Sequence, residues 1–351
     1  MALGKRHGGT MVPLALAMLA SVCIATVGCT GSGGTPSTPP ARSGVTADSG
    51  GAASTMGNPG PAPPRTLAAV TTAGAVVLLD PVSGRAIRTL RGSGAVGDSL
   101  AVSPDGRSVF YEVGVGCQHQ VWRIGTDGGD PTIIASAGSK PAISPNGTSL
   151  AYATQYFDCS PGDNPTAGYQ VVVVNLTTHA ERRFPMPPGR AASGLPAPVT
   201  HLSWSPDGTR LAVSVGSAED NEGWDLVTMS PSTESYYLQD DGSGAVPLTA
   251  AEKGSFYYEG VYMPNGHLFV VRQCCGGYPP VTTSVLLQEV DPATGAPLRQ
   301  IATGLTSKTH TSLDVDAGGH WLLYLSGTDL EVSSDGAKPT TLASGYRAAA
   351  W

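Results

Sequence analysis

Short apolar segments alternate with tight polar turns along most of this chain, a pattern that predicts β-hairpins. The clearest turn is Ser-Pro-Asp-Gly, which occurs at 103–106 and 205–208 and, in altered form, at 144–147, 263–266 and 316–319. An apolar stretch precedes the turn and an alternating stretch follows it. Proline presets φ at the second position, and Asp or Asn followed by Gly tolerates a left-handed step. Each copy is therefore predicted to join two antiparallel strands.

The turns recur at a spacing that fits one four-stranded unit per repeat. Consecutive copies lie 41, 61, 58 and 53 residues apart. A propeller blade takes roughly 40 to 50 residues, so the middle units have room for insertions. A second hairpin recurs within the units, as in Asp80-Pro81-Val82-Ser83-Gly84 and Asp291-Pro292-Ala293-Thr294-Gly295. Four strands joined by three turns make one β-propeller blade.

These repeats resemble those of the TolB-type, WD-like β-propellers, whose blades carry Ser-Pro-Asp-Gly between the innermost strand and the next. The resemblance covers residues 65–351 and implies an all-β fold. Five copies of the turn are present, and residues 65–91 supply three further strands without an innermost one. The segment 346–351 ends in Trp, as the segment 199–204 does, and is predicted to supply the missing strand. We therefore expect a monomeric six-bladed propeller that is closed by its C-terminal strand.

The first 28 residues have the pattern of a secretory signal. Two basic residues precede an apolar run, 11–27, which is too short and too rich in Ala for a membrane span. The run ends in Thr26-Val27-Gly28-Cys29, which resembles the lipobox of bacterial lipoproteins, where cleavage precedes the Cys and its sulfur carries diacylglycerol. The resemblance implies lipidation at Cys29 and anchorage on the outer face of the cytoplasmic membrane. Because Thr26 stands where lipoboxes usually have Leu, cleavage by an ordinary signal peptidase is the alternative.

Residues 29–64 consist almost entirely of Gly, Ser, Thr, Pro and Ala and are predicted to form a disordered tether before the folded domain, 65–351. Charged residues make up 13% of the chain. The formal net charge is −7, and it becomes −9 when the signal is removed with Lys5 and Arg6. An acidic domain argues against nucleic acid and anionic lipid headgroups as partners, because both require concentrated Lys and Arg.

The chain has none of the common catalytic motifs. A Gly-x-Ser-x-Gly elbow, a Walker loop, a dinucleotide fingerprint and a His-Glu-x-x-His pair are all missing. We therefore expect a binding or scaffold module without a cofactor. The alternative is a propeller enzyme of lactonase or lyase type that uses the central funnel. The positions equivalent to His201 form a mixed set for a metal cage, namely Ser99, Lys140, Glu259, Ser312 and Ala348.

Four cysteines of the folded domain are predicted to share one face of the propeller. Cys117, Cys159 and the pair Cys274 and Cys275 each fall between the second and third strands of a blade, in blades two, three and five. Because blades two and three are adjacent, Cys117 and Cys159 are placed to form a disulfide in an oxidising compartment. Cys274 and Cys275 are left as a vicinal disulfide or as free thiols. Zinc binding is the competing hypothesis, but it lacks Cys-x-x-Cys spacing.

The connections between second and third strands, among them those with the cysteines, are predicted to be the longest in the chain. Loops on a rigid scaffold often carry binding residues. Their acidic residues are candidates for cation binding and their aromatic residues for stacking on a ligand: Asp158, Asp163, Asp220, Glu222, Trp224 and Tyr278. Near the same mouth, Lys140, His201 and Glu259 stand four residues before the turn and are candidates to line the funnel. A solvated rim would account for the same residues. The expected partner is a protein, a peptide or a glycan of the cell envelope.

Overall fold

A computed structural model of the chain describes residues 62–93, 96–115, 118–154, 170–185, 199–215, 225–229, 246–248, 255–274, 285–305, 310–334 and 337–351. These residues form six antiparallel sheets of four strands each. The predicted all-β, six-bladed propeller is therefore confirmed. Within the same residues, no helix has the length and apolar character that crossing a membrane requires.

Each blade has an innermost, a second, a third and an outer strand. From blade one to blade six, the innermost strands are β24 (Tyr346–Ala350), β4 (Val96–Val102), β8 (Ser139–Ile143), β12 (Val199–Trp204), β16 (Ser255–Tyr262) and β20 (His310–Val315). The second strands are β1 (Leu67–Thr71), β5 (Ser108–Val115), β9 (Ser149–Thr154), β13 (Leu211–Val215), β17 (Leu268–Cys274) and β21 (Trp321–Ser326). The third strands are β2 (Val76–Leu79), β6 (Gln118–Gly125), β10 (Gln170–Asn175), β14 (Asp225–Met229), β18 (Val285–Val290) and β22 (Asp329–Ser334). The outer strands are β3 (Ala86–Arg91), β7 (Gly128–Ala135), β11 (Glu181–Pro185), β15 (Val246–Leu248), β19 (Pro297–Leu305) and β23 (Thr340–Ser344).

The two ends of the propeller share blade one, as predicted. β24 pairs antiparallel with β1, with Ala350 opposite Ala68 and Ala349 opposite Ala69. β24 also contacts β4 of blade two and β20 of blade six. The innermost strands therefore form a closed ring around the axis.

The Ser-Pro-Asp-Gly turns have the geometry that their residues predict. In the first copy, the Gly106 amide donates to the Ser103 carbonyl (2.8 Å), and the Asp105 carboxylate accepts from the Ser103 hydroxyl (2.6 Å) and the Arg107 amide (3.0 Å). Gly106 has a φ of 68°, and the last glycine of the other four copies is also left-handed, with φ between 69° and 84°. Side chains rarely tolerate this conformation, which explains the glycine.

The apolar core is divided among the six gaps between neighbouring blades. Each gap holds its own cluster of buried side chains. The strand β1 shows how one strand serves two gaps, because Leu67 and Ala69 pack toward blade six while Ala68 and Val70 pack toward blade two. Burial on both faces explains why the strands are apolar at successive positions and why charged residues are few.

Candidate functional site

Most of the predicted site residues, including the lipidation site, lie outside the part of the chain that the structure describes. They are Cys29, Cys117, Cys159, Cys275, Asp158, Asp163, Asp220, Glu222, Trp224 and Tyr278. Cys274 is the last residue of β17. We call the side of the disc where second and third strands are joined the loop face, and the side with the Ser-Pro-Asp-Gly turns the turn face. The cysteine pairing and the loop-residue roles stay predictions.

Lys140, His201 and Glu259, here called the polar tier, come together at the axis. They lie on the innermost strands of three consecutive blades, β8, β12 and β16. All three line a central cavity of about 810 Å³ that extends from this tier to the turn face. The three residues therefore lie at the funnel, and their role in binding stays a prediction.

An irregularity of the backbone accompanies the polar tier. The pairing register between innermost and second strands shifts in every blade, for example between Val199 and His201 in β12. Lys140 and Ser312, at equivalent positions of β8 and β20, have φ values of 53° and 54°. A bulge bends a strand and re-aims its side chains. Left-handed residues other than Gly concentrate at functional sites, because the surrounding structure must hold them there.

Glu112, which no sequence pattern singles out, is the centre of a buried hydrogen-bond network beside the cavity. It lies on β5 and is only 1% exposed. Its carboxylate accepts hydrogen bonds from the Ser99 hydroxyl (2.6 Å) and from the Lys140 amide of the next blade (3.2 Å), and it contacts Nδ1 of His119. A Cβ added to Gly97 would come within 2.6 Å of the Glu112 side chain. The network therefore requires glycine at that position of β4.

The network keeps Glu112 and Lys140 charged. Burial alone would raise the pKa of Glu112, but the hydrogen bond from His119, the charge of Lys140 and the hydrogen bond from Ser99 together lower it to about 2. Burial also opposes the charge of Lys140, but the carboxylates of Glu112 and Asp98 raise its pKa above the ordinary value. The Lys140 ammonium forms an ion pair with Asp98. The single positive charge of Lys140 thus lies between the carboxylates of Glu112 and Asp98.

Glu259 and His201 form the uncharged part of the polar tier. Glu259 is buried, and burial raises its pKa to about 8 although its Oε1 accepts a hydrogen bond from the Leu313 amide (2.9 Å). Burial and, less strongly, the charge of Lys140 lower the pKa of His201 to about 4, against the effect of a hydrogen bond with the Gly260 backbone. Both groups are neutral at pH 7, so the 3.6 Å between His201 Nε2 and Glu259 Oε1 does not join an ion pair. A carboxyl whose pKa is raised to about 8 can donate and accept protons near neutral pH, whereas the His201 imidazole stays neutral there.

Side chains of the innermost strands also tie blades four, five, six and one to one another. The Glu259 carboxyl accepts a hydrogen bond from the Leu313 amide of blade six, and the Asp314 carboxylate accepts one from the Trp351 amide of blade one (2.8 Å). The Ser203 hydroxyl accepts one from the Tyr262 amide of blade five (3.0 Å). Asp314 lies deep enough between strands that burial raises its pKa to about 6, against the effect of the Trp351 hydrogen bond. These contacts give the acidic residues of the funnel a structural role beside any functional one.

We expect the Glu259→Gln variant to be more stable than the wild-type protein at alkaline pH. The Glu259 pKa is about 8 in the folded protein against 4.5 for an ordinary Glu, so the wild type loses stability as the pH rises from 4.5 to 8. Gln keeps an acceptor for the Leu313 amide and cannot ionise. The expected gain at pH 9 is on the order of 3 kcal/mol in urea denaturation. The gain should vanish at pH 4. An equal gain at both pH values would contradict the raised pKa of Glu259.

The repeat explains which site residues could be found from the chain. Lys140, His201 and Glu259 occupy one position of the repeat, whereas Glu112 lies on a second strand and matches no such position. Within the described residues, His, Cys, Asp and Glu side chains do not form a group of three or more that could hold a metal ion.

Comparison with known proteins gives matches in fold. Neither a protein-family model nor the sequence of a curated protein matches the chain. TolB from Acinetobacter baumannii has a TM-score of 0.56 and 17% identity over 82% of this chain and 65% of TolB, so the chain spans just under two thirds of that protein. A chain of the nidogen/laminin complex gives a TM-score of 0.53 at 12% identity, over 81% of this chain and 97% of that one. A gluconolactonase from Xanthomonas campestris gives a TM-score of 0.52 at 14% identity, over 76% of this chain and 81% of that one.

At these identities the likeness concerns the fold alone. The order of strands in the sheets and the closure by β24 agree with it. The chain is therefore a TolB-like six-bladed β-propeller.

Proposed function

We propose that the chain is a non-catalytic binding propeller of the cell envelope, which recognises a protein, peptide or glycan partner through its loop face. The observation that carries the proposal is the uneven length of the connections. In blades three, four and five the second and third strands are separated by residues 155–169, 216–224 and 275–284, but in blade six only by residues 327–328. On the turn face only residues 230–245, between β14 and β15, form a comparably long connection. Long connections on a rigid scaffold are the usual place for binding residues.

The same three blades supply the polar tier. Lys140 belongs to blade three, His201 to blade four and Glu259 to blade five. One sector of the disc thus combines long connections with polar groups at the funnel, and binding sites commonly combine a concave surface with a few polar groups. Similarity to a chain of the nidogen/laminin complex is consistent with this use of the fold, because that structure is itself a complex between proteins.

The segment before the propeller supports a location outside the cytoplasm. Thr26-Val27-Gly28-Cys29 fits attachment through a lipid on Cys29, and residues 29–64 fit a tether between that anchor and the folded domain. The partner is therefore sought at the outer face of the cytoplasmic membrane.

The test is cross-linking in cells that express the full chain, followed by mass spectrometric identification of the cross-linked neighbour. We expect the wild type to fractionate with the membrane and to give one reproducible neighbour. A variant with Trp224→Ala and Tyr278→Ala should lose this neighbour at an unchanged melting temperature, because aromatic anchors carry much of the binding energy at interfaces. Cys29→Ser should move the protein to the soluble fraction.

Variants of the turn face are the control for this experiment. Pro104→Ala and Pro206→Ala change turns on the opposite side of the disc and should keep the neighbour. Loss of the neighbour in these folded variants, with retention in the Trp224 and Tyr278 variant, would show that the partner binds the turn face. If the Cys29→Ser variant stayed in the membrane fraction, the protein would have another membrane anchor.

A second candidate is an enzyme of lactonase or lyase type that uses the funnel. It is favoured by the raised pKa of Glu259, the neutral His201 and the charged Lys140 in one cavity. The X. campestris gluconolactonase shares the fold. Hydrolysis of glucono-δ-lactone by the wild type, lost in Glu259→Gln, would favour the enzyme. The binding proposal requires that the protein does not accelerate this hydrolysis.

A further inference from the structure

The wall of the central cavity contains hydrogen-bond donors that the fold does not use. Tyr262 Oη, Arg347 Nε and Trp351 Nε1 are buried and have no hydrogen-bond partner among the described residues, and all three residues line the cavity. Tyr262 is only 7% exposed. Buried polar groups in folded proteins are nearly always hydrogen-bonded, so exceptions gathered around one cavity indicate missing acceptors there.

Trp351 can be compared with Trp204, its equivalent in the repeat. Both stand at the turn-face end of an innermost segment, and both line the cavity. The Trp204 indole donates to the Ala142 carbonyl of the preceding blade (3.0 Å), whereas the Trp351 indole N–H finds no acceptor among the described residues. The fold therefore satisfies this indole in blade four and leaves it unsatisfied in blade one. The difference points to an acceptor that is not part of the propeller.

The charges of the cavity favour a neutral ligand over an ion. Lys140 is paired with Asp98, and Glu259 and His201 are uncharged at pH 7. The positive charge of Arg347 is offset by the carboxylate of Asp314 in the same wall. With Arg65, Asp105 and Asp316, which also line the cavity, the wall has three positive and four negative formal charges. The cavity thus offers donors without the surplus of positive charge that would select an anion.

Aromatic and proline side chains line the turn-face end of the cavity, beside the turn residues Asp105 and Asp316. Trp204, Trp351 and Tyr262 occupy the same repeat position, and the turn prolines line the same end: Pro104, Pro145, Pro206 and Pro264. Sugar rings present apolar C–H faces and hydroxyl oxygens together, so they complement aromatic faces that stand beside N–H and O–H donors. The cavity volume of about 810 Å³ is within the usual range for small-ligand sites.

We propose that the funnel binds a neutral carbohydrate of one or two sugar rings. Its hydroxyl oxygens accept hydrogen bonds from Tyr262, Arg347 and Trp351, and a ring face packs against the tryptophans. This site lies at the axis and is separate from the loop face. It does not depend on the function proposed for that face, and the Trp224 and Tyr278 variants should leave it intact.

The test is saturation-transfer NMR on the full chain with glucose, galactose, mannose, N-acetylglucosamine, cellobiose and lactose as probes, followed by titration of those that bind. Sodium gluconate serves as the charged comparison. We expect at least one neutral sugar to bind. Trp351→Phe keeps an aromatic ring but removes the indole N–H, and Tyr262→Phe removes only the hydroxyl. Each should weaken binding about tenfold, as expected for one lost hydrogen bond in the complex.

Trp204→Phe is the matched control, because it removes an indole N–H that the Ala142 carbonyl already satisfies. This variant should keep the affinity of the wild type. Tyr262→Phe loses no hydrogen bond in the free protein and should melt no lower than the wild type, which separates binding from folding. Absence of transfer to every neutral probe, binding of gluconate alone, or equal affinities in Trp351→Phe and Trp204→Phe would each overturn the proposal.

Discussion

A chain that lacks residues 346–351 is expected to lose the closed propeller. The deletion removes β24, leaves β1 with an unpaired edge and opens the ring between blades six and two. It also empties parts of two core clusters, since Ala348 and Ala350 pack toward blade two and Tyr346 and Ala349 toward blade six. The expected loss in unfolding free energy exceeds about 5 kcal/mol, which is comparable with the whole stability of many domains. Thermal denaturation followed by circular dichroism measures it.

Deletion of residues 35–57 is the control, because it removes a longer piece from the predicted tether. This variant should melt at the wild-type temperature. A synthetic peptide of residues 345–351, added in excess to the truncated propeller, should restore part of the lost stability by binding the vacant edge. Equal melting temperatures of the full-length and C-terminally truncated proteins would show that β24 does not close the ring.

The fold could be predicted because a propeller repeats one local structure. Ser103, Asp105 and Gly106 form their turn through hydrogen bonds within a few residues, so the motif stays visible when insertions separate its copies. The closure by β24 followed from blade one, which lacks an innermost strand in the segment that contains β1, β2 and β3. This closure can be predicted by counting the strands of blade one, without knowing which strands contact each other.

The candidate site could be predicted only in part, because much of it depends on contacts between strands. Lys140, His201 and Glu259 share a repeat position and were found for that reason. Glu112 matters because Gly97 and Ser99 approach it across a pair of strands whose register shifts, and an alternating pattern does not predict such a shift.

Whether the indole N–H of Trp351 finds an acceptor among the described residues depends on the neighbouring blade. The same residue type at Trp204 finds the Ala142 carbonyl, so residue identity at this repeat position does not decide whether an acceptor is within reach. Only the packing of one blade against the next decides it. Sequence reasoning therefore identified the polar tier of the funnel and missed its unused donors.

The Glu112→Ala variant is expected to lose about 3 to 5 kcal/mol of unfolding free energy at pH 7, the usual cost of removing one partner from a buried ionic network. The change leaves the Ser99 hydroxyl, the Lys140 amide and His119 without their carboxylate. Urea denaturation at pH 7 measures the loss. Glu112→Gln keeps an acceptor but removes the charge, so it should lose less than the Ala variant. Glu331→Gln, at a carboxylate that binds Thr341 near the surface, should change stability by less than about 0.5 kcal/mol.

The difference between the wild type and Glu112→Ala should depend on pH in a defined direction. The pKa of Glu112 is lowered from an ordinary 4.5 to about 2 in the folded protein, so the carboxylate adds stability above pH 4.5, and this part is lost as the pH falls to 2. Its size is about 3 kcal/mol. Denaturation of both proteins at several pH values between 2 and 6 should show the difference shrinking toward low pH. A difference that stayed constant over this range would mean that Glu112 stabilises the blade interface through packing and neutral hydrogen bonds, and that its negative charge is not what holds Lys140 at the funnel.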